Sequence, residues 1–352
     1  MYRIFSVTML VVGTIIGAGF ASGREIVTFF GETPPVAVAA AVAVLVFVSC
    51  ATFLFVGSKA CADDIGAVNR KIAGRAEPVL SVLMLFNSLV SLSAMLAGTD
   101  DLFGNIFPLK PLYSILFGVL GVIVVTRGLD GIMKVNVVVV PLLVAVTVLI
   151  SALSVTCPSC SPFTCVAAYK SVTYVAMNAI LAASVLTTVH GLDRKQIVIS
   201  SALTGVIIGG IVLCVILALG SGSAGSADMP VVEMAKPLGS FAYALAIVSV
   251  ATGIFTTMIS AHLSLTEWAV SLCCNKTYAA VVGAVIAEII GLVGFRTVVD
   301  VFYPVVGVMG TVYFIVCLIY VLPRKRRKRE RFYPSRLAIK KSPKTGRVAK
   351  TL

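Results

Sequence analysis

Charge is scarce in this chain. Asp, Glu, Lys and Arg together make up 12% of its 352 residues, and only 15 of them are acidic. No stretch is polar enough to fold as a separate soluble domain, so a membrane domain with a short tail accounts for the whole length. Histidine is nearly absent: His190 and His262 are the two in the chain. Two are too few for a haem or zinc site, and neither stands in a His-Glu-x-x-His pattern. The Gly-x-Gly-Asp signature of membrane proteases is also missing. No bond-making catalysis and no organic cofactor are expected.

What the chain has in excess is apolar surface. Hydrophobic residues make up 59% of it and its mean hydropathy is +1.05, the composition of a polytopic, all-helical membrane protein. A span takes about 20 residues. Spans are predicted over 4–30, 34–57, 77–99, 111–126, 133–153, 169–189, 196–219, 237–262, 277–295 and 299–322, which gives ten. With the N-terminus cytoplasmic, 23 of the 28 Lys and Arg lie on the inner side and 4 on the outer, with Arg24 left inside the first span. The positive-inside rule requires that asymmetry, so both termini are placed in the cytoplasm and the protein in the cell (plasma) membrane. Arg3, the apolar stretch and Ala18 to Ala21 loosely match a secretory signal. Apolar residues resume from Ile26 to Phe30, and the segment is therefore read as a span.

The net charge of +13 does not point to nucleic acid, because 13 basic residues lie beyond Pro323. The run Arg324 to Arg331 directly follows the last span, where it acts as a stop-transfer anchor and binds anionic lipid headgroups at about 1 kcal/mol per charge. The tail, 324–352, is expected to be disordered; the membrane domain is 1–323. Three cysteines, Cys157, Cys160 and Cys165, share one outer loop. A local disulfide or no function is expected there rather than a metal site, since no His accompanies them.

The most informative segment is Val11 to Glu25, V-V-G-T-I-I-G-A-G-F-A-S-G-R-E. Glycines weaken a spanning helix, and an ionisable group at bilayer depth costs about 2.5–3.5 kcal/mol on insertion scales. Irregular backbone is tolerated where it lines a protein interior or a watery cavity. Small-xxx-small spacing at Gly13/Gly17 and Gly19/Gly23 also fits close helix packing, but Arg24 and Glu25 are not needed for packing. A broken helix lining a binding site is the reading. In the eighth span, Thr252, Thr256 and Ser260 recur at i, i+4 and i+8 with Thr257 beside them, a stripe of hydroxyls on one face. Single hydroxyls often bond the carbonyl one turn back, whereas a cluster supplies the oxygen ligands that a small hard cation needs.

The Gly-Thr-Ile-Ile-Gly-Ala-Gly-Phe-Ala-Ser-Gly-x-Glu run resembles the first helix of YkvI-type membrane proteins, placed with the amino acid–polyamine–organocation superfamily. The resemblance implies a LeuT-type architecture: two inverted repeats of five spans, about 1–155 and 166–323, with spans one and six discontinuous. It also implies a sodium-like site with carbonyl ligands at Gly13, Ile16 and Gly253 and hydroxyl ligands at Thr256 and Thr257. The implied substrate side is Gly17, Ala18 and Gly19 with Asn178 and Ser184 of span six. The implied function is secondary transport of a small polar solute, an amino acid or amine-like compound, coupled to sodium or protons. Span six departs from the pattern: from Tyr174 to Ser184 it has no Gly or Pro. Arg24, Glu25 and the intramembrane Glu288 are candidates for coupling or gating. Arg24 has Glu25 or a substrate carboxylate as candidate partners, and Glu288 has Arg296. The alternative is a membrane sensor or scaffold that keeps the fold and acts through its basic tail.

Overall fold

The computed structural model describes residues 2–31, 33–62, 65–104, 106, 108–127, 132–155, 162–219, 223–271 and 275–322. Side chains of 132–140 are not among them, and Cys157, Cys160 and the basic tail lie outside. The described chain is helical, with no strand. Its elements are α1 (Tyr2–Ile15), α2 (Ala18–Ser22), α3 (Arg24–Phe30), α4 (Pro35–Ala60), α5 (Ile65–Ala73), α6 (Glu77–Gly104), α7 (Leu112–Arg127) and α8 (Ile132–Leu153). They continue with α9 (Cys165–Leu186), α10 (Arg194–Leu219), α11 (Pro230–Ala235), α12 (Ser240–Ser271), α13 (Lys276–Gly291), α14 (Phe295–Thr297) and α15 (Tyr303–Val321). Six stretches are long and apolar enough to cross a membrane: Pro35–Ala60, Ile65–Gly104, Cys165–Leu186, Arg194–Leu219, Ser240–Val270 and Phe295–Val321. Shorter apolar helices add Arg3–Ile15, Leu112–Arg127 and Pro141–Leu153. Large apolar side chains such as Val36, Val206 and Phe241 point outward, as a lipid-facing surface requires.

Local chemistry sets the helix ends. Pro35 opens α4 with its φ already helical and no N–H to strand. Thr164 caps α9, its hydroxyl accepting the Ala167 N–H at 3.2 Å, and Asn275 caps α13 by accepting the Thr277 N–H at 2.9 Å. Glycine seams bring helices into backbone contact. Gly205 and Gly209 of α10 sit against the Ala43 and Ala39 carbonyls of α4, where an added Cβ would come within 2.5 and 2.9 Å. Gly307 and Gly310 of α15 sit in the same way on Thr173 and Ala176 of α9. In membranes such seams replace the hydrophobic drive that lipid removes.

The first helical segment is interrupted twice. Ile16 and Gly17 are non-helical, with Gly17 extended at φ −102° and ψ −168°. Gly23 then takes the left-handed conformation, φ +79°, between α2 and α3, which a side chain would strain. The sixth segment differs from the expectation. α9 runs unbroken from Cys165 to Leu186, because it contains no helix breaker and the Asn178 amide caps its own turn, donating to the Tyr174 carbonyl at 3.1 Å.

Candidate functional site: the interrupted first helix

The interruption frees backbone. The Gly17 N–H turns to the Ile15 carbonyl at 3.1 Å, so the Gly13 carbonyl loses the donor that an α-helix would give it. Gly17 also lies directly against α12: a Cβ there would come within 2.9 Å of the Thr257 hydroxyl oxygen. The glycine break and the hydroxyl-bearing helix therefore meet, at Thr257. Ile16 and Gly253 are buried and Gly13 is half-buried. Ala18 opens α2, and its side chain is outside the described residues.

The hydroxyl stripe divides. The Thr256 hydroxyl is buried and donates to the Gly253 carbonyl at 3.1 Å. Ser260 is exposed and donates to Thr256 O at 3.0 Å; Thr252 is half-buried and donates to Val248 O at 2.5 Å. All three bond one turn back. A hydroxyl that donates its hydrogen this way still keeps lone pairs for a cation.

Arg24 does not pair with Glu25. Its guanidinium crosses to Asp300, with Nη2 on Oδ2 and Nε on Oδ1 at 3.2 Å, and Nη1 reaches the Ala227 carbonyl at 3.4 Å. This is a two-pronged charge-assisted pair. Asp300 sits in a π-helical turn, Val298–Phe302, between α14 and α15. It also accepts the Thr28 hydroxyl at 2.6 Å and lies 3.6 Å from Arg296 Nε. From the sequence alone, Asp300 stands at a span end, where a solvated or capping role is the default. Arg24 and Asp300 are 276 positions apart, and the one signal available was that a buried arginine needs a carboxylate.

Glu25 points the other way. It is buried, and its carboxyl covers Gly19, where any Cβ would overlap Oε1. The Asn178 side chain hydrogen-bonds it, and Tyr174, one turn before Asn178 on α9, is buried. Glu25 Oε2 and the Tyr174 hydroxyl are buried without a hydrogen-bond partner. Tyr174 and Asn178 also line a small apolar cavity among α1, α4, α9 and α10, with Ile15, Val46, Phe53 and Ile208, to which Glu25 does not contribute. Asn178 thus joins the break to this cavity. Ser184 lies further along α9 and donates to Leu181 O at 2.7 Å; among the described residues, no hydrogen bond brings it to the break.

Glu288 is apart from this cluster. Its partner is Ser114 of α7, whose hydroxyl donates to Oε1 at 2.6 Å, rather than Arg296. The Ser114 N–H meanwhile bonds Asp100 Oδ1 at 3.0 Å. Arg296 is one turn from Asp300 and is drawn there instead. Among the described residues, no cluster of three or more His, Cys, Asp or Glu is placed to hold a metal ion.

No protein-family profile matches the chain. In sequence it is 27% identical over 340 residues to the membrane protein YkvI of Bacillus subtilis (strain 168), covering 90% of this chain and 95% of that one. Among solved structures, the inward-facing conformation of Mhp1 superposes with a TM-score of 0.60 at 14% identity, over 90% of this chain and 75% of that one. A manganese transporter from Eremococcus coleocola gives 0.61 at 13% identity, over 89% and 77%. A closed conformation of Mhp1, a nucleobase-cation-symport-1 family transporter with bromovinylhydantoin bound, gives 0.57 at 18% identity, over 89% and 78%. The fold is that of the LeuT-type transporters. At these identities the structural likeness concerns the fold alone.

Proposed function

We propose that this chain is a secondary transporter that moves a small polar solute across the plasma membrane by alternating access, driven by sodium or protons. In this reading ten segments cross the bilayer with both termini cytoplasmic. α1–α3, α4, α6, α7 and α8 make the first repeat, and α9, α10, α12, α13 and α14–α15 the inverted second. The observation that carries it is the meeting of Gly17 with Thr257, which sets interrupted backbone against a hydroxyl inside an apolar body. A sodium ion there would take the Gly13, Ile16 and Gly253 carbonyls and the Thr256 and Thr257 hydroxyls, oxygen ligands of the kind a hard cation prefers. By tying α1 to α12 the ion would favour the substrate-ready conformation. The neighbours' names range from manganese to bromovinylhydantoin, so the fold does not choose the cargo. The basic tail adds an anionic-lipid contact.

Uptake into proteoliposomes, screened over amino acids, amines and nucleobases with sodium against potassium, tests this. Thr256→Ala and Thr257→Ala should cut sodium-driven uptake at least tenfold, with Thr252→Ala near wild type. Equal effects at all three, or uptake indifferent to sodium, removes the sodium half. No uptake of any solute removes the transporter reading.

A further inference from the structure

The two ionisable groups beside the break have different fates. Arg24, the one basic side chain of the segment, is committed to Asp300 and the Ala227 carbonyl. Glu25 is 6% exposed, no basic side chain among the described residues pairs with it, and its Oε2 has no hydrogen-bond partner. On a straight helix Gly19 and Glu25 would stand about 9 Å apart along the axis. The left-handed Gly23 between α2 and α3 instead lets the carboxyl lie on Gly19, in the space of its missing Cβ. Among the described residues, the elements packed on α3 are α2, α9, α10 and the π-helical turn, and they bring Glu25 no counter-charge. α2 has no ionisable side chain. α9 brings the buried Tyr174, whose ring lies edge-on against Phe29 and Phe30 and whose hydroxyl is unpartnered; Lys170 stands more than two turns from Asn178. α10 has Arg194 and Lys195 in its first turn and a thiol at Cys214. The π-helical turn brings Asp300, held by Arg24, and the buried Tyr303 follows it.

We propose that Glu25 is the proton-binding residue of the break: its carboxyl is the neutral acid while it lies on Gly19, and it gives up the proton when the Gly23 kink opens it to water. That this proton is a coupling ion rests on the transporter reading above. A carboxyl shut away from water without a counter-charge takes up a proton, because the bare ion would cost several kcal/mol. The unpartnered Oε2 is the oxygen that carries the hydrogen of the acid. The Asn178 amide has both a donor and an acceptor, so it can hold the carboxyl in either state and acts as a positioning residue. On release the O–H bond breaks, its electron pair stays on the carboxylate, and water leaves with the proton as hydronium. The ion left behind needs hydration that the Gly19 surface does not offer. It therefore favours the opened kink, and reprotonation favours the closed one. Proton occupancy and the shape of the first segment are thereby one equilibrium. The site shares no ligand with the sodium ligands proposed above.

The test is infrared spectroscopy and hydrogen exchange on the purified full chain in nanodiscs, neither of which needs a solute. At neutral pH the wild type should show the carbonyl stretch of a protonated carboxyl that is lost in Glu25→Gln, unchanged in Thr252→Ala, and fading as the pH is raised. Amide exchange across 11–30 should exceed that of Glu25→Gln severalfold at alkaline pH and match it at acid pH, because Gln keeps the neutral shape permanently. If Glu25→Gln does not fold, Asn178→Leu, which removes the amide beside the carboxyl, should shift the same band. The proposal is overturned if no acid band is lost in Glu25→Gln or shifted in Asn178→Leu, or if wild type and Glu25→Gln exchange alike at every pH. Loss of the band when sodium replaces potassium at fixed pH would overturn it too, assigning the carboxyl to an inorganic ion. Proteoliposomes that take up no solute, with band and exchange as expected, would sink the transporter reading and leave the proton site standing. Solute uptake with no such band would do the reverse.

Discussion

The Arg24 guanidinium of α3 grips both carboxylate oxygens of Asp300, drawing the end of the interrupted first segment onto the π-helical turn before α15. Arg24 is almost wholly buried, with 4% of its side chain exposed, whereas Asp300 keeps 33%. The two ends of the pair are therefore unequal, and removing them should be unequal too. Asp300→Ala strands a buried positive charge and should destabilise by on the order of 3 kcal/mol. Arg24→Met leaves a carboxylate that water and Arg296 can serve, and should cost less. Melting curves of both variants in the same detergent check this; an equal or reversed order would contradict the burial argument.

Gly17 and Thr257 supply a compensation test. Gly17→Ala places a Cβ 2.9 Å from Thr257 Oγ1 but 3.8 Å from Thr257 Cβ. The clash is with the hydroxyl end of the side chain and not with its root. Gly17→Ala alone should lower the melting temperature by several degrees, an overpacking effect. The double variant Gly17→Ala with Thr257→Ala should recover most of that loss. Sodium-driven uptake should stay low in both, because the oxygen is gone or displaced.

At the seam between α15 and α9, Gly310 admits no such relief. An added Cβ there would press on the Ala176 carbonyl, which is backbone and cannot rotate away. Gly310→Ala should destabilise by about 1–3 kcal/mol or more. Gly210, with nothing within 4 Å of its Cβ position, serves as the control, and Gly210→Ala should be neutral or slightly stabilising. The comparison is a matched pair of melting curves.

On α5, the buried Asn69 accepts the Tyr313 hydroxyl at 3.1 Å, tying this short helix to α15. Tyr313→Phe keeps the ring against Phe53 and removes only the donor. An unsatisfied buried acceptor costs about 1–3 kcal/mol. Limited proteolysis between Ala62 and Glu77 should accelerate in this variant with little change elsewhere.

The break was legible in the sequence because its signals are local. Four glycines within an apolar run, followed by Arg24 and Glu25, contradict a plain spanning helix without reference to any other part of the chain. The hydroxyls Thr252, Thr256 and Ser260 could be placed on one helix face from their spacing alone, with Thr257 beside them. What stayed hidden depends on partners far along the chain. Nothing near Asp300 announces Arg24, nothing near Glu288 announces Ser114, and Tyr174 beside Glu25 reads simply as an aromatic core residue. The unbroken α9 was half-legible: the resemblance implied a discontinuity while its own residues, lacking Gly and Pro, argued against one. The residues prevailed.

The glycine seams carry a mechanical consequence. Where Gly205 and Gly209 lay α10 on α4, and Gly307 and Gly310 lay α15 on α9, main chain abuts main chain with no flexible side chain between. Surfaces so joined resist sliding, since a shift of one ångström drives a carbonyl of one helix into the main chain of the other. Any rearrangement of these helices should therefore fall at contacts cushioned by long side chains and leave α10 with α4, and α15 with α9, as paired units.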